Sequence, residues 1–105
     1  MKTWNKIKIT VVKKFVSEDL IEEFVEDEVK NKFLGACDVF ELGREFILEK
    51  PNKPDDFCSW AWADIHRDLT AIMGGAGFPW INREGVAIAS CTDGLRPVVF
   101  KIERI

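Results

Sequence analysis

Tyrosine is absent from these 105 residues, histidine occurs once, and no Lys/Arg run is longer than two. Each scarcity closes off a class of function. Without a basic stripe there is no electrostatic footprint of a nucleic-acid binder, so no nucleic-acid partner is expected. No apolar run approaches the roughly 20 residues that span a bilayer, so no membrane partner is expected either. The three cysteines Cys37, Cys58 and Cys91 contain no C-x-x-C pair, which removes zinc-ribbon and thioredoxin-type motifs. No serine stands in a nucleophile elbow, there is only one histidine, and no complete nucleophile–base–orienter set is visible in the sequence. No catalytic residue is therefore assigned, and whether the chain is an enzyme stays open. Internal repeats and low-complexity tracts are also missing.

What is present has the balance of a soluble globular protein: 47% apolar residues, 31% charged residues and a net charge of −3. The length suits one domain with one core, and residues 1–105 are read as such. The opening "MKTWNKIKITVV" is charged and alternating and lacks the continuous apolar segment of a signal peptide, so cytoplasm is the expected compartment. There the cysteines are expected to be reduced, and their odd number leaves one thiol unpaired under any intramolecular pairing.

The patterning predicts the elements. Ile7, Ile9 and Val11 alternate with Lys6, Lys8 and Thr10, the period of a half-buried strand over 6–15. Ser17 precedes "EDLIEEFVEDEV" as an N-cap, with Glu18 and Asp19 in the first turn where carboxylates suit the helix dipole. Leu20, Ile21, Phe24, Val25 and Val29 form its apolar stripe, and the acidic residues between them read as a solvated face. Val39, Phe40, Leu42, Phe46, Ile47 and Leu48 predict two short strands, or one strand bent at Gly43. A second helix is expected from about Phe57 to Met73, capped by Asp55 or Asp56 and stopped by "GGAG". Two β-rich runs, 86–91 and 97–103, flank "TDG" and predict a hairpin. The sum is an α+β domain: a small, mostly antiparallel sheet, two helices packed on it, and a C-terminal β-hairpin.

Candidate sites concentrate in "FCSWAWADIHRDL", residues 57–69. On a helical wheel Cys58, Trp62, Ile65, Leu69, Ile72 and Met73 share one face, which is core. A cysteine in such a stripe is more often a small hydrophobe than a nucleophile. His66 lies at the edge of that face. Trp60 lies opposite, with Ala63, Arg67 and Ala71. A tryptophan there implies a cover: the sheet edge, the "GFPW" segment with Trp80, a ligand or a second subunit. "MGGAGFPW" follows a helix and lacks a downstream Gly-Lys-Ser/Thr, so it is a helix stop rather than a phosphate loop. In "CTDGLRP", Asp93 and Gly94 are explained by turn geometry. Arg96 beside a tight turn has two readings: an ion pair with Asp93 or a neighbouring carboxylate, which is the plainer one, and a hold on a ligand carboxylate or phosphate. Cys37, Cys58 and Cys91 each stand near the end of an element. Such ends can converge, and with His66 as a fourth group they form a candidate thiol or metal site.

Taken together, "CDVFELGREF", "FCSWAWADI", "GGAGFPW" and "CTDGLRPVVFKIER" resemble a family of small bacterial and archaeal proteins, an uncharacterised repeat-protein family in which some members carry the unit twice. The C-x-D-G-x-R-P-V-V-F stretch is the most specific part. The resemblance implies a shared role for Cys37, Cys58 and Cys91 and, from the tandem units, that two copies can pack together. The leading expectation is a cytoplasmic module that binds a small ligand or a partner and acts as a homodimer. Its candidate ligand or interface residues are Trp60, Arg67, Trp80, Asp93 and Arg96. The rival is a cysteine-centred metal or thiol-redox protein using Cys37, Cys58 and Cys91. No particular cofactor is implied.

Overall fold

The computed structural model describes residues 3–105; Met1 and Lys2, the start of the charged N-terminal stretch, lie outside the described residues. Strand β1 spans Ile7–Lys14, helix α1 Glu18–Phe24, a 3-10 helix Asp27–Phe33, β2 Glu45–Leu48, α2 Ser59–Met73, β3 Val86–Ser90 and β4 Val98–Arg104. The strands form one antiparallel sheet in the order β2-β1-β4-β3, with helices packed on it and β3–β4 as the C-terminal hairpin. This is the α+β architecture that the patterning predicts. Among the described residues, no helix is long and apolar enough to cross a membrane.

The period-two alternation of β1 sets the faces. Ile7, Ile9 and Val11 are buried with Val98, Phe100 and Ile102 of β4 beside them. The opposite face carries Lys8, Thr10, Lys101 and Glu103, laced by Lys8–Glu45 at 3.4 Å and Lys101–Glu103 at 3.0 Å. One apolar and one charged face is the pattern of an antiparallel sheet with one side toward water. Helix α2 covers the apolar face over β3 and β4 with Ala61, Ile65, Leu69, Ile72 and Met73. Over β1 and β2 the cover is aromatic. Phe40 meets Phe57, Phe100 and Phe46 edge-on at 4.9, 5.0 and 6.2 Å between centroids, the favoured geometry for aromatic rings.

The end of α2 follows the glycines. Gly75 takes a left-handed φ of 98°, Ala76 N–H donates to Ala71 O at 2.9 Å and Gly75 N–H to Ile72 O at 3.2 Å, a Schellman closure. Arg104 Nη1 donates to Ile72 O and Ala76 O at 2.8 and 2.6 Å, and Asn5 Nδ2 to Met73 O at 3.0 Å. A cation on the last carbonyls of a helix is the arrangement that its dipole favours.

Four local expectations need correction. Helix α1 stops at Phe24 because Val25 turns extended, and a 3-10 helix replaces the expected continuation to Val29. The acidic run does not favour a longer helix, since extending α1 would add Glu22/Glu26 to the like-charge pairs Glu18/Glu22 and Asp19/Glu23 already within it. Lys30, in the 3-10 helix, folds back onto Asp27 at 2.9 Å and Glu22 at 3.3 Å, and the hydrogen bond from Lys30 to Asp27 raises its pKa above the ordinary lysine value. Of the predicted stripe only Ile21 is buried, and Phe24 is 71% exposed.

Second, the Val39–Leu48 region forms one four-residue strand, with Phe40 buried from a loop rather than from a strand. Gly43 makes the bend at φ 86°, its N–H donating to Val11 O at 2.8 Å. Third, α2 begins with Cys58 at the N-cap position, and Asp56 pairs with Arg44 instead of capping it. Fourth, the β3–β4 hairpin forms as expected, but its connection runs from 91 to 97, one residue more at each end than the expected runs 86–91 and 97–103 leave. Gly94 takes no positive φ; Asp93 Oδ1 shapes the turn by accepting from Leu95 N–H at 2.9 Å and Arg96 N–H at 3.2 Å.

Candidate functional site

The N-terminal end of α2 and the β3–β4 connection approach each other and leave a cavity of about 390 Å³ between them. Helix α2 supplies Cys58, Trp60, Ala61 and Asp64 to its wall, because positions three and four apart share a helix face. The hairpin connection supplies Cys91, Thr92, Asp93, Leu95 and Arg96, while Phe33, Cys37 and Phe40 close it from the irregular middle of the chain. Ring carbons, thiols and aliphatic groups make most of this wall. A mostly apolar concavity with a few convergent polar groups is the usual form of a small-molecule site.

The polar groups are held in defined states. Asp64 is a clasp: its Oδ2 accepts from Thr92 N–H at 2.7 Å, and both carboxylate oxygens accept from Thr92 Oγ1 at 3.0 Å. Asp93 is occupied by the backbone turn described above. Arg96 lies over the Phe33 ring, 4.7 Å from guanidinium carbon to centroid, and donates from Nη1 to Lys32 O at 3.3 Å. Its Nε is buried and has no hydrogen-bond partner among the described residues. Leaving such a donor without an acceptor is costly, about 1–3 kcal/mol.

All three cysteines line this cavity, each half-buried and free of any disulfide. They do not meet in a cluster. Among the described residues no group of three or more His, Cys, Asp and Glu is placed to hold a metal ion, which corrects the expected convergence. The physical reason is that each thiol is tied to its own element. Cys37 sits in the loop after the 3-10 helix, Cys58 at the head of α2, and Cys91 Sγ accepts Val98 N–H at 3.2 Å within the hairpin. His66 takes no part in the cavity. It is exposed on α2 beside Trp62, with ring centroids 5.8 Å apart.

The remaining candidates separate into two places. Trp60, Asp93 and Arg96 are brought together at the cavity. Arg67 and Trp80 instead line a groove of about 320 Å³ with Asp68, Phe78 and Ile88. Phe78 and Trp80 pack on each other at 5.3 Å, so the "GFPW" segment is not the cover of Trp60, which is 83% exposed. Sequence reasoning misses the Asp64–Thr92 clasp and the roles of Phe33 and Phe40. Asp64 does carry a signal, since it lies one turn after Trp60 on the same side of α2. Phe33, at the end of the 3-10 helix, carries none, and Phe40 is read as a strand residue although it is buried from a loop, where no period applies.

Compared with family models, curated proteins and solved structures, the chain finds no match. The site is therefore read from its own geometry.

Proposed function

We propose that the protein is a small cytoplasmic binding module whose cavity takes a small molecule with an apolar body and a carboxylate. One observation carries this reading. In a cavity whose two aspartates are already committed, Arg96 is fixed over Phe33 with its Nε buried and unpartnered. A guanidinium edge suits a carboxylate, which can accept two parallel N–H bonds. The aromatic and aliphatic wall suits the remainder of such a ligand, and three free thiols are in keeping with a reducing compartment.

The test is calorimetric titration of the purified chain with aromatic and aliphatic carboxylic acids, each paired with its neutral amide. The acid is expected to bind at least about tenfold more tightly than the amide, and Arg96→Met to remove that difference; tenfold is about 1.4 kcal/mol, within the range of a charge-assisted pair. Bound acid should also slow the reaction of the cysteines with a disulfide reagent. Equal affinity for acid and amide, or thiols that react at the same rate with and without ligand, sinks the proposal.

A second reading is favoured by the three free thiols that line the cavity from three elements: thiol reactivity rather than reversible binding. Loss of titratable thiols under mild peroxide, with no binding in the acid panel, selects it over the first.

A further inference from the structure

Two exposed features lie along α2. Trp60 projects from its first turn, 83% exposed, and two turns further on Arg67 borders the groove beside Trp80, itself 77% exposed. The Arg67 side chain is 91% exposed, with Nε donating to the neighbouring Asp68 at 3.2 Å. Seven residues separate Trp60 from Arg67, which is about 10 Å along a helix and within about 20° around it. Knob and groove therefore project from the same side of α2. Between them Ala63 is exposed and small, so another helix can approach closely there.

We propose that a second copy of this chain covers this face, each Trp60 entering the partner's groove at Arg67 and Trp80. The symmetry follows from the spacing. When two α2 helices lie antiparallel about a two-fold axis passing between residues 63 and 64, residue 60 of each faces residue 67 of the other. The same patch is then used on both copies, as a closed dimer requires. The chemistry matches as well: an indole face takes a guanidinium by cation–π attraction, and Phe78, Trp80 and Ile88 provide an apolar seat. Helix and groove already stand in the fold, so the contact needs no rearrangement. Buried aromatic and arginine anchors are the groups that carry most of the energy in interfaces.

Trp60 also lines the ligand cavity, but the dimer is tested on the chain without ligand, so the two readings fail separately. Sedimentation of the wild-type protein is expected to show a dimer at tens of micromolar, and Trp60→Ala and Trp80→Ala each to weaken association at least tenfold. Both side chains are exposed, so circular dichroism should show both variants folded; Arg67→Glu, which leaves the packing intact, should also weaken the dimer. The decisive sample is an equimolar mixture. A Trp60→Ala chain keeps its groove and a Trp80→Ala chain keeps its knob, so the mixed pair retains one intact contact and should associate more strongly than either variant alone. A wild type that is monomeric at high micromolar concentration, variants that dimerise as well as the wild type, or a mixture no stronger than its components overturns the proposal.

Discussion

Replacing Gly85 by alanine tests how the C-terminal end of α2 is held. Gly85 has φ 75°, a left-handed conformation that costs an L-residue about 1–2 kcal/mol. An added Cβ would also lie 3.0 Å from Arg104 Nε and 3.1 Å from Cζ and Nη2, so the guanidinium must shift by a few tenths of an ångström. That guanidinium is pinned at 2.8 Å to Ile72 O in the last turn of α2 and at 2.6 Å to Ala76 O just beyond it, and pushing it aside weakens charge-assisted hydrogen bonds. Such bonds contribute about 1.5–3 kcal/mol when intact, less here because one of the two is exposed. Gly85→Ala should therefore cost about 2 kcal/mol, half strain and half lost cap, while Arg104→Met should cost about 2 kcal/mol by removing the cap entirely.

The double variant discriminates between sources of this loss. With Arg104 gone only the backbone strain of the Gly85→Ala change remains, so the pair should cost about 3 kcal/mol rather than about 4, a coupling of about 1 kcal/mol. Urea unfolding followed by tryptophan fluorescence measures all four proteins, and in a thermal scan the single variants should fall by roughly 10 °C. Strict additivity within about 0.3 kcal/mol would refute the claim that Gly85 acts through Arg104.

Phe40→Ala removes the ring against which Phe46, Phe57 and Phe100 stand edge-on, and should cost about 3–5 kcal/mol in the same unfolding assay, a large part of a typical domain's stability. Asp64→Ala opens the clasp on Thr92; it should cost about 1 kcal/mol, and amide exchange at Thr92 should rise at least about tenfold while exchange in β1 is unchanged.

The regular elements are readable wherever a period reaches the core. Ile7, Ile9 and Val11 announce β1, and Ile65, Leu69 and Ile72 announce α2, because burial acts on every second or every third and fourth residue. "GGAG" marks its stop correctly, since only the left-handed glycine fits the closure. Local signals mislead where another interaction is stronger. Ser17 has the look of a side-chain cap, yet its side chain forms no cap bond and its N–H is drawn to Leu95 O at 2.8 Å. Asp93-Gly94 has the look of a two-residue hairpin turn, yet the aspartate folds a longer connection around its own carboxylate. Individual cavity residues are legible, as Trp60, Asp93 and Arg96 show. Their distances are not, because the relative placement of loop ends depends on the whole sheet, and so the three cysteines line one cavity without sharing a centre.

The sheet order places β1 and β4, the first and last strands, side by side in the middle. During synthesis β1 is made early, but its buried face cannot find its main neighbour until residues 98–104 have left the ribosome. Closing so long a loop carries an entropy cost before any pairing rewards it, so folding should be slow for a chain of this length and should begin only when the last strand is available. The same adjacency sets Ile105 N–H on Lys6 O at 3.0 Å, so the two ends of the sheet's central pair can be bridged by a short linker. A permuted chain opened in the largely exposed 49–56 connection would make β1 and β4 neighbours in sequence, and by this reasoning it would fold faster than the natural order while keeping the same cavity.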